Sequence, residues 1–296
     1  MADENNLLDP SVLSRLMHLP LSARFPMEGT VSGHHKSPHR GSSVEFAEYR
    51  NYVPGDDIRR LDWRVFGRTD RFYLKEFEAE TNLRCYFVLD CSGSMGFSKA
   101  GQSKLEYAKK IIATLAYLTI HEGDAIGLIC VGEKALIEIP PRRNPAHLKL
   151  ILDTLQNAKP HGETGLVSVL HDLAEKIRRR AVVIVLSDFF CEPAPLMSCF
   201  QHLRFQKHDL ALFHLLDRAE VMFQFDRPMR FVDMENNFSL VTEPAGIRDE
   251  YLRQLNLFLE QMRAGAHEFG VEYRRVITDE NYEKALGSFL VERAQA

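Results

Sequence analysis

The chain has 296 residues, of which 45% are hydrophobic and 26% are charged, and its formal net charge is -4. This composition accommodates one full α/β core with an appended region. The charge is mild and the arginines are interleaved with acidic residues, which argues against a nucleic-acid-binding surface. No apolar run is long enough to cross a bilayer, and the first ten residues are acidic and polar. We therefore expect a cytoplasmic protein with no transmembrane segment.

The first predicted element is a short helix near residues 9–18. Asp9 is placed as its N-cap, and Pro10 is placed at the first helical position. Residues 29–43 follow, and their Gly, Ser and His content without periodicity predicts an exposed loop. We assign residues 1–80 to an N-terminal region that is rich in strands and loops.

A dense charge pattern lies between residues 50 and 63. Pro54 and Gly55 predict a turn, and the alternating arginines and aspartates around it predict charge-paired hydrogen bonds that anchor the turn. Trp63 is the single tryptophan, and we expect it to pack this segment against the rest of the chain. The alternative is a partner-contact surface. Either role would involve Arg50, Tyr52, Asp56, Asp57, Arg59, Asp62 and Trp63.

From about residue 84 the sequence alternates between apolar strands and amphipathic helices. The predicted strands are 84–90, 124–132, 135–140, 181–188, 209–216, 229–234, 238–242 and 271–278. The predicted helices are 103–121, 145–157, 166–179, 195–206, 246–268 and one that begins at Asn281. Near-continuous aliphatic strands separated by helices predict a mostly parallel, doubly wound α/β sheet with helices on both faces. We assign this architecture to residues 81–296, including a C-terminal helix and strand extension.

Candidate ligands for a cation follow the first of these strands, in the segment VLDCSGSMG at residues 88–96. Asp90 ends the strand, and Ser92 and Ser94 follow in a glycine-rich turn. In a doubly wound sheet, ligands bind beyond the carboxyl ends of the strands at the topological switch point. Thr164 in a later loop and Asp188 at the end of another strand belong at the same edge. Such oxygen donors suit Mg²⁺ or Mn²⁺.

This pattern resembles the metal-ion-dependent adhesion site of von Willebrand factor A domains, in which an Asp-x-Ser-x-Ser loop, a Thr and a second Asp surround one cation. The resemblance implies that Ser92, Ser94 and Thr164 approach the metal directly, and that Asp90 and Asp188 act directly or through water. Mg²⁺ is the expected ion, with Mn²⁺ or Ca²⁺ as alternatives. Glu163 departs from the common pattern, and it either adds a carboxylate or points to solvent.

A second resemblance covers nearly the whole chain. The run Arg50-x-Tyr52-x-Pro54-Gly55-Asp56-Asp57, followed by Arg59, Asp62 and Trp63 and then by the metal loop, is similar to the bacterial and archaeal family called domain of unknown function 58. This resemblance implies partnership with a MoxR-type AAA+ ATPase. The chain would be a non-catalytic adaptor in protein maturation or complex assembly. The cation would bind a carboxylate of the ATPase or of a client protein.

Two other functions, serine hydrolysis and a purely structural role, remain open from the sequence. Ser94 lies between small residues after a strand, which is similar to the nucleophile turn of serine hydrolases, and His171, His208, His214 and His267 are candidate bases. An aspartyl phosphotransferase based on Asp90 would need a second Asp at the position of Ser92. A structural scaffold with a purely stabilising cation is the last alternative. No P-loop pattern occurs, so ATP turnover would belong to the partner.

Overall fold

The computed structural model describes residues 7–25, 45–51, 62–69, 72–78, 83–99, 101–235 and 238–295. The chain divides into two compact units: one comprises residues 25–83, and the other comprises residues 1–24 and 84–296. Within the described ranges, no helix combines the length and the apolar character that a membrane span requires.

The strands and helices are numbered in chain order. The strands are β1 Glu45–Asn51, β2 Tyr73–Glu78, β3 Arg84–Asp90, β4 Ala125–Val131, β5 Ala135–Arg142, β6 Val182–Ser187, β7 Asp209–Leu216, β8 Met229–Val232, β9 Ser239–Thr242 and β10 Glu272–Ile277. The helices are α1 Pro10–Leu16, α2 Trp63–Thr69, α3 Lys104–His121, α4 Pro145–Asn157, α5 Leu166–Lys176, α6 Pro193–Phe205, α7 Arg218–Met222, α8 Pro244–Glu268 and α9 Tyr282–Gln295.

Six strands form the central sheet in the order β10-β7-β6-β3-β4-β5. Neighbouring strands are parallel except for β5, which runs antiparallel to β4 at one edge. When these six strands are counted along the chain, the order is 3-2-1-4-5-6, that of a doubly wound sheet. The order reverses between β3 and β6, so the switch point lies beyond the ends of these two strands.

Helices cover both faces of the sheet. Val183 and Val185 of β6 pack on one face with residues of α5, α6 and α8. On the other face, the ring of Phe213 in β7 meets that of Phe289 in α9, with ring centroids 5.0 Å apart. Successive side chains of a strand point to opposite faces, so both faces need apolar residues. The predicted mostly parallel α/β fold is therefore confirmed.

Strand β5 and helix α5 end at residues other than the predicted ones, and the structure shows the local backbone at both ends. Strand β5 continues through Pro140 and Pro141 to Arg142. Proline is tolerated there because β5 is an edge strand, whose outward side needs no backbone donor. Helix α5 ends at Lys176, three residues before the predicted end, and Ile177 already has extended backbone angles.

The final helix carries a buried arginine that ties three parts of the α/β unit together. Arg293 donates to Asp209 at 2.9 Å, to Glu272 at 2.9 Å and to the carbonyl oxygen of Ser22 at 3.0 Å. The backbone N–H of Arg24 also donates to Asp209, at 2.8 Å. The residues after α1 are thus held to the strands β7 and β10 through α9.

The unit of residues 25–83 contains an antiparallel pair of strands and a short helix. Strand β1 pairs with β2, and Arg50 lies opposite Leu74. Asp62 is buried, and its carboxylate accepts the N–H of Val65 at 3.3 Å, which places it as the N-cap of α2. Trp63 begins this helix. The predictions for residues 29–43 and for Tyr52, Asp56, Asp57 and Arg59 lie outside the described residues.

Candidate metal centre

Strand β3 delivers a fully buried carboxylate to the switch point. Asp90 is its last residue, and the backbone N–H of Ser92 donates to Asp90 Oδ1 at 2.9 Å. A single 3-10 turn, Gly93–Gly96, follows. The hydroxyl oxygens of Ser92 and Ser94 lie 3.1 Å apart. The turn therefore places both predicted hydroxyl ligands beside the carboxylate.

The loop before α5 brings Thr164 to the same carboxylate. Its hydroxyl donates to Asp90 Oδ2 at 3.2 Å. Backbone hydrogen bonds fix this loop to the loop after β3: Gly93 donates to the carbonyl of Gly162, and His161 donates to that of Cys91, both at 2.8 Å. The relative positions of the two loops are thus set by main-chain contacts.

The loop before α5 has no room for a side chain at Gly165, the residue after Thr164. A Cβ atom at this position would lie 2.1 Å from the carbonyl oxygen of Glu133 and 3.0 Å from that of Gly132. The backbone N–H of Gly165 donates to the same Gly132 oxygen at 2.6 Å. Any side chain here would push the loop, and Thr164 with it, away from Asp90.

Strand β6 supplies a fourth hydroxyl, and the residue after it is a second buried aspartate. Ser187 donates to Asp90 Oδ2 at 2.6 Å, and Asp188 is 1% exposed. Phe189 then adopts a positive φ of 52°, and its N–H donates to the hydroxyl oxygen of Ser187 at 2.8 Å. Non-glycine residues rarely adopt this left-handed conformation, and such residues are often found at functional sites.

A buried lysine pairs with Asp188 and Glu220, whereas no ion pair in the described part of the chain includes Asp90. Lys104 lies at the start of α3, and its Nζ is 2.7 Å from Asp188 and 2.6 Å from Glu220. Burial alone would lower the pKa of Lys104, but the two carboxylates raise it on balance. Lys104 is therefore charged and committed to these two partners.

The electrostatics of Asp90 fit a bound cation. Burial and the neighbouring charge of Asp188 raise the pKa of Asp90 to about 6, against the lowering effect of its hydrogen bonds. Within the described residues, no cluster of three or more His, Cys, Asp or Glu side chains is arranged to hold a metal. Any ion at this edge would therefore depend on the hydroxyl groups. Carboxylate and hydroxyl oxygens are hard donors that suit Mg²⁺, so the residues present fit this ion.

The structure thus brings four of the five predicted ligands into one hydrogen-bonded cluster of Asp90, Ser92, Ser94 and Thr164. Asp188 is close enough to raise the pKa of Asp90, but its carboxylate accepts hydrogen bonds from Lys104 and from the N–H of Phe190. Ser94 and Thr164 are partly exposed, so the cluster opens to solvent at these two residues. Glu163 is exposed. The metal-binding role of the cluster remains a prediction.

Sequence reasoning missed three residues of the site. Ser187 adjoins Asp188 in the sequence, and its donor role could have been suspected from that position. The position of Lys104 weakly indicated a role in the site. The helix dipole disfavours a cation at the start of a helix, so a lysine there suggests that nearby carboxylates compensate. Glu235 lies in the turn after β8, close enough to Ser94 for its pKa to be lowered by that hydroxyl, and nothing in the local sequence indicates this proximity.

The surroundings of Ser94 differ from those of a hydrolase nucleophile. In the described ranges, the hydroxyl of Ser94 lies 3.1 Å from that of Ser92, and it is close enough to Glu235 to lower the pKa of that carboxyl. The four candidate histidines make other contacts or lie elsewhere. His171 meets His202 at 3.5 Å, His214 meets the hydroxyl of Tyr273 at 2.7 Å, His208 is buried, and His267 is exposed on α8.

Known proteins resemble this chain along much of its length. The uncharacterized protein Rv1480 of Mycobacterium tuberculosis is 28% identical over 252 residues, which cover 83% of this chain and 78% of that protein. The uncharacterized protein YeaD of Bacillus subtilis is 29% identical over 126 residues, which cover 42% of this chain and 29% of that protein.

Among solved structures, the conserved hypothetical protein BatB from Bacteroides thetaiotaomicron aligns with a TM-score of 0.48 at 15% identity, over 73% of this chain and 100% of that one. An aerotolerance-related membrane protein from Bacteroides fragilis aligns with a TM-score of 0.49 at 17% identity, over 71% of this chain and 100% of that one. Residues 48–257 match the family described as "Protein of unknown function DUF58". Because this match spans most of the sequence, the chain belongs to the DUF58 family.

Proposed function

We propose that this protein is a non-catalytic, metal-dependent protein-interaction module. Asp90, Ser92, Ser94, Thr164 and Asp188 would hold one divalent cation, Mg²⁺ first and Mn²⁺ or Ca²⁺ as alternatives. The observation that carries the proposal is the convergence of hydroxyl groups on Asp90 at the switch point of the sheet. This arrangement is what a hydroxyl-based cation site requires.

The donor set favours binding of a partner over simple stabilisation of the fold. Hydroxyl groups are neutral, and Lys104 already neutralises part of the charge of Asp188. A divalent cation held there would keep much of its positive charge, and it would attract a carboxylate that reaches the solvent-facing side. The partly exposed Ser94 and Thr164 mark the side from which such a carboxylate would approach.

The partner that we propose is a MoxR-type AAA+ ATPase, a client protein of that ATPase, or both. This step rests on the resemblance of the sequence to a family that works with such ATPases. The ATPase would hydrolyse ATP, and the present chain would connect it to its target in the cytoplasm through the cation.

A pull-down of a MoxR-type AAA+ ATPase from the same organism tests the proposal. Wild type and the Ser92→Ala/Ser94→Ala variant are compared with Mg²⁺ and with excess chelator. We expect capture by the wild type in Mg²⁺, and a loss of at least about tenfold in the chelator or in the variant, as for the removal of ligands from a metal site.

Ser198→Ala is the matched control, because Ser198 is an exposed hydroxyl on α6, away from the described cluster. It should capture the ATPase as the wild type does. Capture that is indifferent to both chelator and serines would contradict the metal-bridged mechanism. It would direct attention to the segment from Arg50 to Trp63 as the contact surface.

A further inference from the structure

The turn that follows β8 lies directly against the loop that follows β3. A Cβ atom on Gly93 would lie 2.1 Å from the carbonyl oxygen of Met234, so the two main chains touch at this glycine. The methyl group of Met234 also reaches to 3.4 Å from a Cβ built on Gly96. The residues Asp233–Glu235, here called the hairpin turn, therefore cover part of the cluster around Asp90.

This turn carries a carboxylate to the open side of the cluster. The backbone nitrogen of Glu235 lies 3.4 Å from a Cβ built on Gly93, and the hydroxyl of Ser94 is close enough to the Glu235 carboxylate to lower its pKa. The backbone N–H of Glu235 donates to Asp233 Oδ1 at 2.8 Å, a hydrogen bond within the turn. Burial raises the pKa of Glu235, and the charges of Asp188 and Asp90 raise it further, against the effect of Ser94. Glu235 therefore lies within the field of both aspartates and beside Ser94, one of the two residues at which the cluster opens to solvent.

The element that carries Glu235 is separate from the central sheet. Strands β8 and β9 form their own antiparallel pair. Phe231 joins this pair to the rest of the unit by stacking on Phe223, with ring centroids 5.7 Å apart, while Leu240 and Val241 are 50% and 72% exposed. A small sheet with few buried contacts can move without breaking the central sheet.

We propose that Glu235 is the chain's own competitor for the proposed cation site. The hairpin turn places this carboxylate where a carboxylate of the partner would otherwise bind, and the partner gains access when the turn moves away. This inference rests on the proposed function, and it adds a way in which the chain itself limits access to the cation site. A tethered group competes at an effective concentration in the millimolar range, so the internal carboxylate selects against weak acidic ligands.

The proposal predicts effects of opposite sign for the ion and for an added carboxylate. Removing the charge of Glu235 removes negative potential near the cation, so the metal should bind less tightly. The same change vacates the position that an outside carboxylate needs, so that carboxylate should bind more tightly. A turn that served only to support the fold would weaken both.

The experiment uses the full chain loaded with Mn²⁺, and it measures the relaxation of water protons by the bound ion. We expect Glu235→Gln to increase the relaxivity of bound Mn²⁺, because another exchangeable water reaches the metal. Acetate should then lower this relaxivity at about a fivefold lower concentration than in the wild type, because the tethered competitor is gone. The Kd for Mn²⁺, measured by calorimetry, should rise.

Glu163→Gln is the matched control, since it removes an equal charge from an exposed residue of the neighbouring loop. It should follow the wild type in relaxivity and acetate response. Thermal unfolding in chelator should agree between wild type and Glu235→Gln. If wild type and Glu235→Gln gave identical relaxivity and acetate curves, this inference alone would be overturned. If the wild type did not bind Mn²⁺, the proposed function on which the inference rests would be overturned.

Discussion

The Lys104→Met variant is expected to lose about 3–5 kcal/mol of unfolding free energy, because it removes one partner of a buried ion-pair group. Lys104 is fully buried between Asp188 and Glu220, at 2.7 Å and 2.6 Å. Methionine fills a similar volume but leaves two carboxylates without their cation. Urea denaturation in chelator at neutral pH measures the loss.

Two further variants separate charge from packing. Lys176→Met removes one partner of an exposed pair with Glu138, and should cost no more than about 1 kcal/mol. The double variant Lys104→Met/Glu220→Gln should be less destabilised than the sum of its single variants, since one of the two stranded charges is gone. Equal losses in Lys104→Met and Lys176→Met would show that Lys104 does not have the described electrostatic role.

A loss of about 3–5 kcal/mol is likewise expected for Arg293→Met. Arg293 is 2% exposed, and Asp209, its partner at 2.9 Å, is fully buried. The variant also leaves the carbonyl of Ser22 without the donor that Arg293 supplies. We expect looser packing of the residues after α1 in addition to the lower stability.

Urea denaturation gives the size of this loss, and limited proteolysis reports on residues 17–25. Arg253→Met is the control, because its pair with Glu250 lies on the surface of α8, with side chains 60% and 59% exposed. It should change stability by less than about 1 kcal/mol. A difference between the two variants that stays within experimental error would contradict the anchoring role of Arg293.

Much of the fold could be predicted because the central strands have a strong local signal. The run AVVIVLSD at residues 181–188 has aliphatic residues at consecutive positions, so both faces of the predicted strand are apolar. Such a pattern is typical of a strand that is covered on both sides. It is β6, and its observed bounds are Val182–Ser187. Helix α7 was not predicted, since five residues are too few to show helical periodicity.

The candidate site was predictable only in its local part. Asp90, Ser92 and Ser94 are close in sequence, and strand-end rules place Thr164 and Asp188 at the same edge. Lys104 and Glu235 reach the cluster through tertiary contacts between segments that are distant in sequence. Such contacts depend on how α3 and the β8–β9 hairpin pack, and no spacing rule encodes that.

A measurement of Mg²⁺ binding tests the central claim most directly. The thermal unfolding of wild type, Ser92→Ala/Ser94→Ala and Ser198→Ala is measured across a Mg²⁺ titration. We predict that wild type and Ser198→Ala gain about 1.4 kcal/mol of stability at ten times the Kd, and that the double serine variant gains almost none. A wild type that Mg²⁺, Mn²⁺ and Ca²⁺ all leave unchanged would contradict a cation site at Asp90.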